Sequence, residues 1–271
     1  LSVLSVVSNN EEAENNILKA RKKLEEFVEQ ASATETKVSI ITTIDHNAAS
    51  GISRIAKEIM ADIIVLGWPK RTGFIDKLIG EKVDSIISNT DKTTIICHFE
   101  KPLVSHRRIV IAAPPLTEHE NGFELWFTKM AKLAQELSIP IKLYCNESTS
   151  KSIKKLIKDS KLSASVTTSQ FSDWEDFPDL SKSVRENDLF VLVSAREGAA
   201  SYMVMLENLP SKMEKHFPKN SRLIIYPQQF VQQLGSKRYD QINPEPIHKG
   251  IETIQKIGKS IGNIFKKDNK E

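Results

Sequence analysis

The sequence predicts an α/β protein with two doubly wound, mostly parallel sheets. Short apolar runs alternate with helical patterns, the alternation restarts after residue 107, and both halves end on the same phrase. That phrase is an apolar run, a polar loop, a helix and a second apolar run. Strands buried on both faces give short runs of Val, Ile and Leu, whereas covering helices repeat apolar residues every three or four positions.

Residues 1–100 are predicted to form the first unit, with four strands separated by helices. The predicted strands are Leu1–Val7, Lys37–Ile44, Asp62–Leu66 and Thr93–Phe99. The predicted helices are Glu11–Ala31, Asn47–Met60 and Glu81–Ser88. On the first helix, apolar residues recur at helical spacing, which is typical of a helix that covers a sheet.

A linker is predicted at residues 101–107, which hold a proline and a His-Arg-Arg cluster that continues into Arg108. Residues 108–230 form the second predicted unit, with five strands. These are Arg108–Ala113, Ile139–Cys145, Ala164–Phe171, Asp188–Ser194 and Arg222–Tyr226. The helical patterns between them are Phe123–Leu137, Ser150–Lys158, Pro178–Arg185 and Ser201–His216, and Phe123, Trp126 and Phe127 are predicted to face the core.

The two halves repeat each other, but unequally. Asp62–Leu66 in the first half corresponds to Asp188–Leu192 in the second, and each is followed by a loop, a helix and a last strand. When all predicted strands of each half are counted, the second half has five and the first half only four. The first half therefore lacks its first strand and the helix that follows it.

Composition excludes several classes of protein. Mean hydropathy is −0.31 and no apolar run approaches the roughly 18 residues of a membrane-spanning helix. A formal charge of +3 is too small to indicate nucleic-acid binding. Cys97 and Cys145 each lie in an apolar run, which argues against a disulfide framework or a four-ligand zinc site and favours a reducing, cytoplasmic setting. The start at Leu1 suggests a fragment or a processed chain.

Several segments resemble the universal stress protein family. They are Leu1–Val7, the charged helix around Ala20–Glu26, the run Ala61–Gly67, and Gly80. The resemblance covers nearly all of residues 1–99 and, more weakly, 108–226. Two such units followed by a basic tail resemble the cytoplasmic regulatory region of a cation/proton (sodium/hydrogen) antiporter. That resemblance implies a membrane transport domain upstream in the same polypeptide, and a place in the cytoplasm or on the cytoplasmic face of the inner membrane.

The family fold has strand order 3-2-1-4-5, with ligands at the carboxyl ends of the central strands. If Leu1–Val7 is the family's second strand, the central strand of the first unit is absent. Buried backbone groups left unpaired there would cost about 1–3 kcal/mol each. Three explanations are open: an upstream segment that contains the strand is lost, the strand is supplied from elsewhere, or the first strands are rearranged. We favour the first explanation.

Nucleotide-binding members of the family carry a loop of Gly, two residues, Gly, nine residues, Gly, then Ser or Thr. Gly67 and Gly80 keep the matching separation, but Lys70 replaces the second glycine and Glu81 the hydroxyl residue. Basic side chains there could attract a phosphate. The resemblance makes the following residues candidate ligand contacts of the first unit: Gly67, Lys70, Arg71, Gly73, Gly80 and Glu81.

The corresponding loop of the second unit supplies Ser194, Arg196 and Gly198 as candidates, although none of its glycines matches the motif. Asp45, beside His46, follows the second predicted strand and is a further candidate; the competing interpretation is a helix N-cap. The resemblance leaves the ligand open between ATP, AMP and a cyclic dinucleotide. For both loops we favour the alternative of a solvated loop retained for folding.

Catalysis is not predicted. The sequence has no Gly-x-Ser-x-Gly elbow, no P-loop and no His-Glu-x-x-His, and no metal site is expected. His98 and His106, near Arg107 and Arg108, could form an anion site or a pH sensor, but satisfied or solvated histidines are favoured.

Two further segments suggest contacts. Thr93–Phe99 and Arg222–Tyr226 are apolar sheet edges, and we expect them to pair within the chain as a pseudo-dimer of the two units. In the tail, residues 231–271, the segment Ile247–Lys267 has the pattern of a basic amphipathic helix. Such a helix could lie on an anionic membrane surface, although a tail packed on its own domain or disordered is an equal alternative.

Three functions remain open from the sequence. The first is a regulatory module that couples a small ligand to a transporter upstream. The second is a free-standing tandem stress protein that binds ATP. The third is an interaction scaffold without a ligand.

Overall fold

The computed structural model describes residues 1–32, 36–68 and 81–229. Within these ranges the strands are β1 (Ser2–Ser8), β2 (Ser39–Asp45), β3 (Ile63–Gly67), β4 (Thr93–His98), β5 (Arg108–Ala112), β6 (Ile141–Cys145), β7 (Val166–Gln170), β8 (Asp188–Val193) and β9 (Ser221–Tyr226). The α-helices are α1 (Ala13–Ser32), α2 (Ala48–Glu58), α3 (Glu81–Asn89), α4 (Phe123–Glu136), α5 (Glu147–Asp159) and α6 (Leu209–His216). Each predicted strand is present, with ends that differ by at most two residues.

The second half has the predicted strand order. Its five parallel strands run β9-β8-β5-β6-β7, which in chain order of that half is 5-4-1-2-3. The central strand is β5, whose residues from Ile109 to Ala112 are fully buried. The α/β fold with order 3-2-1-4-5 is therefore confirmed.

The first half is split at the position where its central strand is absent. β1 pairs with β2 in a separate two-stranded parallel sheet, and β3 pairs with β4. Among the described residues, no strand pairs with the other edge of β1 or of β3. These are the two edges that a central strand would join.

One sheet connects the halves. β4 and β9 pair antiparallel, with Ile96 opposite Ile224, so seven strands run β3-β4-β9-β8-β5-β6-β7. Because this pairing is antiparallel, the carboxyl ends of β3 and β4 lie at the opposite margin of the sheet from those of β8 and β9. The candidate loops of the two halves therefore lie at opposite margins.

Two apolar layers cover this sheet. One contains Phe177, Phe190 and Phe217, and the other contains Trp126 and Phe127, all at most 2% exposed. Burying side chains of this size contributes about 1.5–3 kcal/mol each. The prediction that the aromatic residues of α4 face the core is confirmed.

Two predicted helices differ from the structure. Pro178–Arg185 is replaced by a 3₁₀ helix at Phe177–Lys182, and Ser201–His216 divides into a 3₁₀ helix at Val204–Asn208 and α6. Proline is tolerated only in the first turn of an α-helix, because it lacks an N–H group. Pro210 accordingly lies in the first turn of α6.

The two cysteines are free, and burial raises the pKa of each thiol to about 11. In the described ranges, no helix is both long and apolar enough to cross a membrane. The predicted amphipathic helix Ile247–Lys267 lies outside the described residues.

Candidate functional site

The loop after β8 holds a buried arginine that contacts the other half. Arg196 is 5% exposed, and its guanidinium donates to the carbonyl oxygens of Ile87 at 3.1 Å, Lys92 at 2.7 Å and Pro227. It also donates to the Thr94 hydroxyl at 3.2 Å. Burial lowers the pKa of Arg196 to about 10.

These contacts decide what Arg196 does in this conformation. Its N–H groups are taken by oxygens of the α3–β4 region and of the segment after β9, so it clamps the two halves together. To bind a phosphate it would have to give up several of these hydrogen bonds. Binding of a ligand by Arg196 stays a prediction. What the structure shows is that Arg196 joins the two halves.

Glu120 bridges the loops that follow β5 and β8. Its Oε1 accepts from the Ser201 backbone N–H at 2.7 Å and from the Ser201 hydroxyl at 2.8 Å. Glu120 is 8% exposed and Ser201 is 1% exposed. In a doubly wound sheet these two loops flank the ligand crevice, where the strand order reverses. Here a carboxylate of the protein uses an N–H and a hydroxyl that could otherwise bind an anion.

The remaining candidates of this loop have structural roles as well. The Ser194 side chain bonds to buried Tyr226, although burial dominates and raises the pKa of Tyr226 to about 12. Gly198 has φ of 83°, a left-handed conformation that L side chains rarely adopt, so glycine is required there by the backbone.

In the first half, the chain leaves β3 at Gly67 and continues into Trp68. The Trp68 indole Nε1–H donates to Glu214 Oε1 of α6 at 2.5 Å, and the guanidinium carbon of Arg222 lies 5.4 Å from the ring centre. The edge of the ring also contacts His98 at 6.2 Å between ring centres. The start of the predicted phosphate loop is therefore attached to the second half.

The other candidates of that loop are not all described. Lys70, Arg71, Gly73 and Gly80 lie outside the described residues, and Glu81 opens α3 with its side chain also outside them. A Cβ added at Gly67 would meet no atom of the described residues within 4 Å, so close packing against them does not demand a glycine at the end of β3.

Asp45 is bonded within its own half. Its Oδ2 lies 3.3 Å from the Arg54 guanidinium and its Oδ1 accepts from the His46 backbone N–H at 2.8 Å. The cap of α2 is Asn47, whose Oδ1 accepts from Ser50 N at 2.9 Å. The N-cap interpretation of Asp45 is therefore wrong, because α2 begins at Ala48 and its N-cap is Asn47.

Trp68 and Arg196 form reciprocal anchors between the halves. Each follows the strand of the repeated phrase in its own half, and each bonds to the opposite half across the β4–β9 pairing. Sequence reasoning missed Trp68, Glu120, Glu214 and Arg222. An aromatic residue directly after a strand was the available signal for Trp68, whereas Glu214 lies 146 residues away from it.

The histidines near the linker have partners. His106 is 2% exposed, with its Nδ1 2.9 Å from Leu103 O, and His98 Nε2 lies 2.6 Å from Glu100 Oε1. Arg107, Arg108 and Arg185 line an open cavity of about 360 Å³ at the amino ends of β5 and β8. In the described part of the chain, no three His, Cys, Asp or Glu residues lie close enough together to hold a metal ion.

Comparison with known proteins gives a family match for the first half and a fold for the chain. The model of the universal stress protein family matches residues 2–98. A universal stress protein from Archaeoglobus fulgidus DSM 4304 is similar with a TM-score of 0.57 and 15% identity, over 85% of this chain and 86% of that one. A protein of unknown function from Pseudomonas aeruginosa PAO1 has a TM-score of 0.58 and 8% identity, over 87% of this chain and 84% of that one.

A third solved structure is the cytoplasmic domain of a prokaryotic cation chloride cotransporter. It has a TM-score of 0.55 and 14% identity, over 86% of this chain and 88% of that one. At these identities the likeness establishes the fold alone. No curated protein sequence matches this chain at a significant level. Residues 2–98 of this chain thus match the model of the universal stress protein family, and residues 108–226 have a doubly wound strand order.

Proposed function

We propose that this chain is the cytoplasmic regulatory domain of a cation/proton antiporter and that it senses an adenine nucleotide or a cyclic dinucleotide. The proposal assigns ligand binding to the loop that starts at Gly67 in the first half. The observation that carries it is the anchoring of Trp68, directly beside Gly67, to Glu214 and Arg222 of the second half. The likeness to the cytoplasmic domain of a transporter supports the same function.

The anchors give a physical route for regulation. A ligand shifts a conformational equilibrium only by its difference in affinity for the two states. Trp68 starts the loop after β3 and bonds to Glu214 of α6. A ligand whose binding strengthens or breaks this hydrogen bond thereby links its binding energy to the position of α6. We assign the second half a passive role in ligand binding, because Glu120 occupies the N–H and hydroxyl of Ser201 beside its crevice and the Arg196 guanidinium is bonded to carbonyl groups.

Isothermal titration calorimetry with ATP, AMP and cyclic di-AMP tests the sensor. We expect at least one of the three to bind, and the variant Trp68→Phe to change its affinity because Phe cannot donate to Glu214. Trp174→Phe is the matched control, since Trp174 is 2% exposed in the core of the second half and stacks on Phe177. The absence of heat with all three ligands would contradict the sensor and favour the ligand-free scaffold.

A free-standing tandem stress protein that binds ATP is the alternative. It is favoured if ATP binds with the same affinity to the wild type and to Trp68→Phe, since storage or buffering of a nucleotide needs no link between the halves. In either case we propose a binding function without catalysis. We therefore expect ATP incubated with the protein to stay unhydrolysed, as monitored by phosphate release.

The proposal includes two structural parts. The β4–β9 pairing acts as a dimer interface of two family units within one chain. The tail, residues 231–271, contacts an anionic membrane surface through Ile247–Lys267. Sedimentation with vesicles of phosphatidylglycerol, against vesicles of phosphatidylcholine, measures that contact, and equal binding to both would contradict it.

A further inference from the structure

The amino ends of β5 and β8 carry three arginines around one cavity. Arg107, Arg108 and Arg185 line this open cavity, whose volume is about 360 Å³. Small-molecule sites have volumes of about 300–1,000 Å³. Ligands of doubly wound sheets bind at the carboxyl ends of the strands, which lie at the opposite margin of the second half. The cavity is therefore separate from that crevice.

A buried carboxylate holds one of the arginines and the turn that carries another. Asp188 is 2% exposed, and its two carboxylate oxygens accept from Arg108 Nε at 3.2 Å and Nη2 at 2.5 Å. Its Oδ2 also accepts from the Arg185 backbone N–H at 2.8 Å. Asn220 Nδ2 donates to the carbonyl oxygens of Arg185 at 2.7 Å and of Asp188 at 3.1 Å. These bonds fix the backbone of the turn and leave the Arg185 side chain unused.

Further hydrogen bonds attach the linker to the same turn. The Arg107 backbone N–H donates to Asn187 O at 2.9 Å. Lys101 Nζ donates to Glu186 O at 2.9 Å and to Asn187 Oδ1 at 2.8 Å. The backbones of Arg107 and Arg185 are therefore held beside one cavity, although they are far apart in the sequence.

The two carboxylates of the cavity already have partners. Asp188 is paired with Arg108 as described above, and Glu186 Oε1 lies 2.7 Å from Lys219 Nζ. Neither carboxylate is therefore available to neutralise a further cation beside the cavity.

The remaining cations around the cavity are Lys101, Arg107 and Arg185. In the part of the chain that the structure describes, neither of these two guanidinium groups has a hydrogen-bond or ion-pair partner. Lys101 Nζ bonds to neutral oxygens. A cleft lined by charges of one sign raises the local concentration of counter-ions. The cavity therefore attracts anions.

Arg185 is not required by the repeated phrase. Asp62 in the first half corresponds to Asp188 in the second, and the residue three positions before Asp62 is Ile59 rather than an arginine. The strand of the first half forms without it. The pair of free guanidinium groups is thus a feature of the second half alone.

We propose that this cavity binds a phosphate group through the guanidinium groups of Arg107 and Arg185, with Lys101 adding positive charge. A guanidinium group matches a phosphate because two of its parallel N–H groups reach two oxygens. The phosphate group belongs either to a small solute or to a lipid headgroup. When bound, it bridges Arg107 of the linker and Arg185 of the second half.

The cavity is also distinct from the loop after β3. Because the β4–β9 pairing is antiparallel, this loop and the cavity lie at the same margin of the sheet, but β4 and β9 separate β3 from β8. Three strand spacings of about 4.8 Å correspond to about 14 Å. The inference therefore does not depend on the function proposed for that loop.

Isothermal titration calorimetry with inorganic pyrophosphate tests the cavity. We expect the wild type to bind, and Arg107→Gln and Arg185→Gln each to weaken binding by at least about 10-fold, because each removes a charged donor. Both arginines are exposed, so thermal melts of the variants should match the wild type. The matched control is Arg21→Gln on α1, whose partner is Glu25 and which should change the affinity by less than about twofold.

Two further variants separate this site from its alternatives. Arg185→Lys keeps the charge but loses the paired N–H groups, so we expect it to bind pyrophosphate more weakly than the wild type. Trp68→Phe changes the loop after β3, and it should bind pyrophosphate with the affinity of the wild type.

Sedimentation with vesicles distinguishes the two sources of the phosphate group. If the source is a lipid, the wild type prefers phosphatidic acid to phosphatidylcholine, pyrophosphate competes, and the double variant Arg107→Gln with Arg185→Gln loses the preference. If the source is a solute, the double variant sediments as the wild type does while its binding of pyrophosphate is lost.

Three outcomes would overturn the inference. The first is the absence of both pyrophosphate binding and a vesicle preference that depends on the two arginines. The second is an equal effect of Arg21→Gln and Arg185→Gln, or full affinity of Arg185→Lys, because general attraction of anions would then suffice. The third is loss of pyrophosphate binding in Trp68→Phe, which would assign the anion to the loop after β3.

Discussion

Arg196 acts through backbone carbonyl groups rather than through a carboxylate. Its three carbonyl acceptors come from residues on both sides of the β4–β9 pairing, so its loss leaves buried acceptors in both halves. A buried acceptor that loses its partner costs about 1–3 kcal/mol. The residue therefore stabilises the arrangement of the halves as well as its own loop.

Replacement of this arginine measures that contribution. We expect Arg196→Met to lower the free energy of unfolding by about 3 kcal/mol or more in urea titrations, because several buried acceptors lose their donor. The control is Arg54→Met, whose partly exposed guanidinium pairs with Asp45 and Glu58. Its cost should stay below about 1 kcal/mol. Equal losses for both variants would contradict the clamp.

Glu118 makes stability depend on pH. Burial raises the pKa of this carboxyl, but hydrogen bonds from Ser148 and Thr149 outweigh burial, and the net pKa is lower than its ordinary value of 4.5. A carboxyl with a lowered pKa in the folded state stabilises the protein above about pH 4.5, and this contribution is lost as the pH falls through the lowered pKa.

Thermal melts of Glu118→Gln against the wild type detect this loss. We expect the wild type to be the more stable at pH 6 and the difference to shrink steadily below about pH 4.5, because glutamine does not titrate. A difference that is constant between pH 6 and pH 3 would show that the carboxylate charge contributes nothing.

Among the elements, α4 has a tightly enclosed start. A Cβ at Gly122, its N-cap residue, would overlap the backbone nitrogen of Gln228 and lie 3.1 Å from Pro227 Cα. Backbone atoms cannot move aside as a side chain can. This contact holds α4 against the segment that follows β9.

Two glycine-to-alanine changes separate this contact from general effects. We expect Gly122→Ala to destabilise the protein by about 1–3 kcal/mol, because the methyl group forces α4 away from Gln228. Gly67→Ala, at the open end of β3, should change stability by less than about 1 kcal/mol. Chemical denaturation measures both, and a neutral Gly122→Ala would mean that α4 is packed more loosely than the structure indicates.

The elements differ in how far the sequence predicts them. The strands are predicted nearly to their ends, because unbroken apolar runs mark them, such as Leu189–Val193 in β8 and Ile109–Ala112 in β5. The helix predicted at Pro178–Arg185 was wrong because apolar spacing cannot distinguish a short 3₁₀ turn from an α-helix. Leu18 and Phe27 lie on the predicted stripe of α1, yet they are exposed because the helix that would cover them is absent from the described residues.

The candidate site was less predictable. The place of the loop after β8 made Arg196 and Gly198 candidates. However, Arg196 bonds to distant carbonyl groups and Gly198 is required by a local backbone angle, and the loop sequence reveals neither. Glu120 and Glu214 were missed because an isolated glutamate has no sequence signal until the fold brings its partner close. Long-range polar pairs of this kind depend on tertiary structure.

At the scale of the whole molecule, β3 and β4 of the first half join all five strands of the second half in one sheet, with a reciprocal anchor on each side of the β4–β9 pairing. Trp68 joins the first half to α6, and Arg196 joins the second half to the start of β4. We therefore expect a change at either margin of the sheet to affect the opposite half. This expected coupling is the physical basis of the regulatory function that we propose.

Hydrogen exchange in α6, with and without the ligand found by calorimetry, tests this coupling most directly. We expect the ligand to change amide exchange in Leu209–His216 of the wild type and of Trp174→Phe, but not of Trp68→Phe, because the change travels through the Trp68–Glu214 hydrogen bond. A ligand that binds tightly and leaves exchange in α6 unchanged in all three proteins would contradict the account.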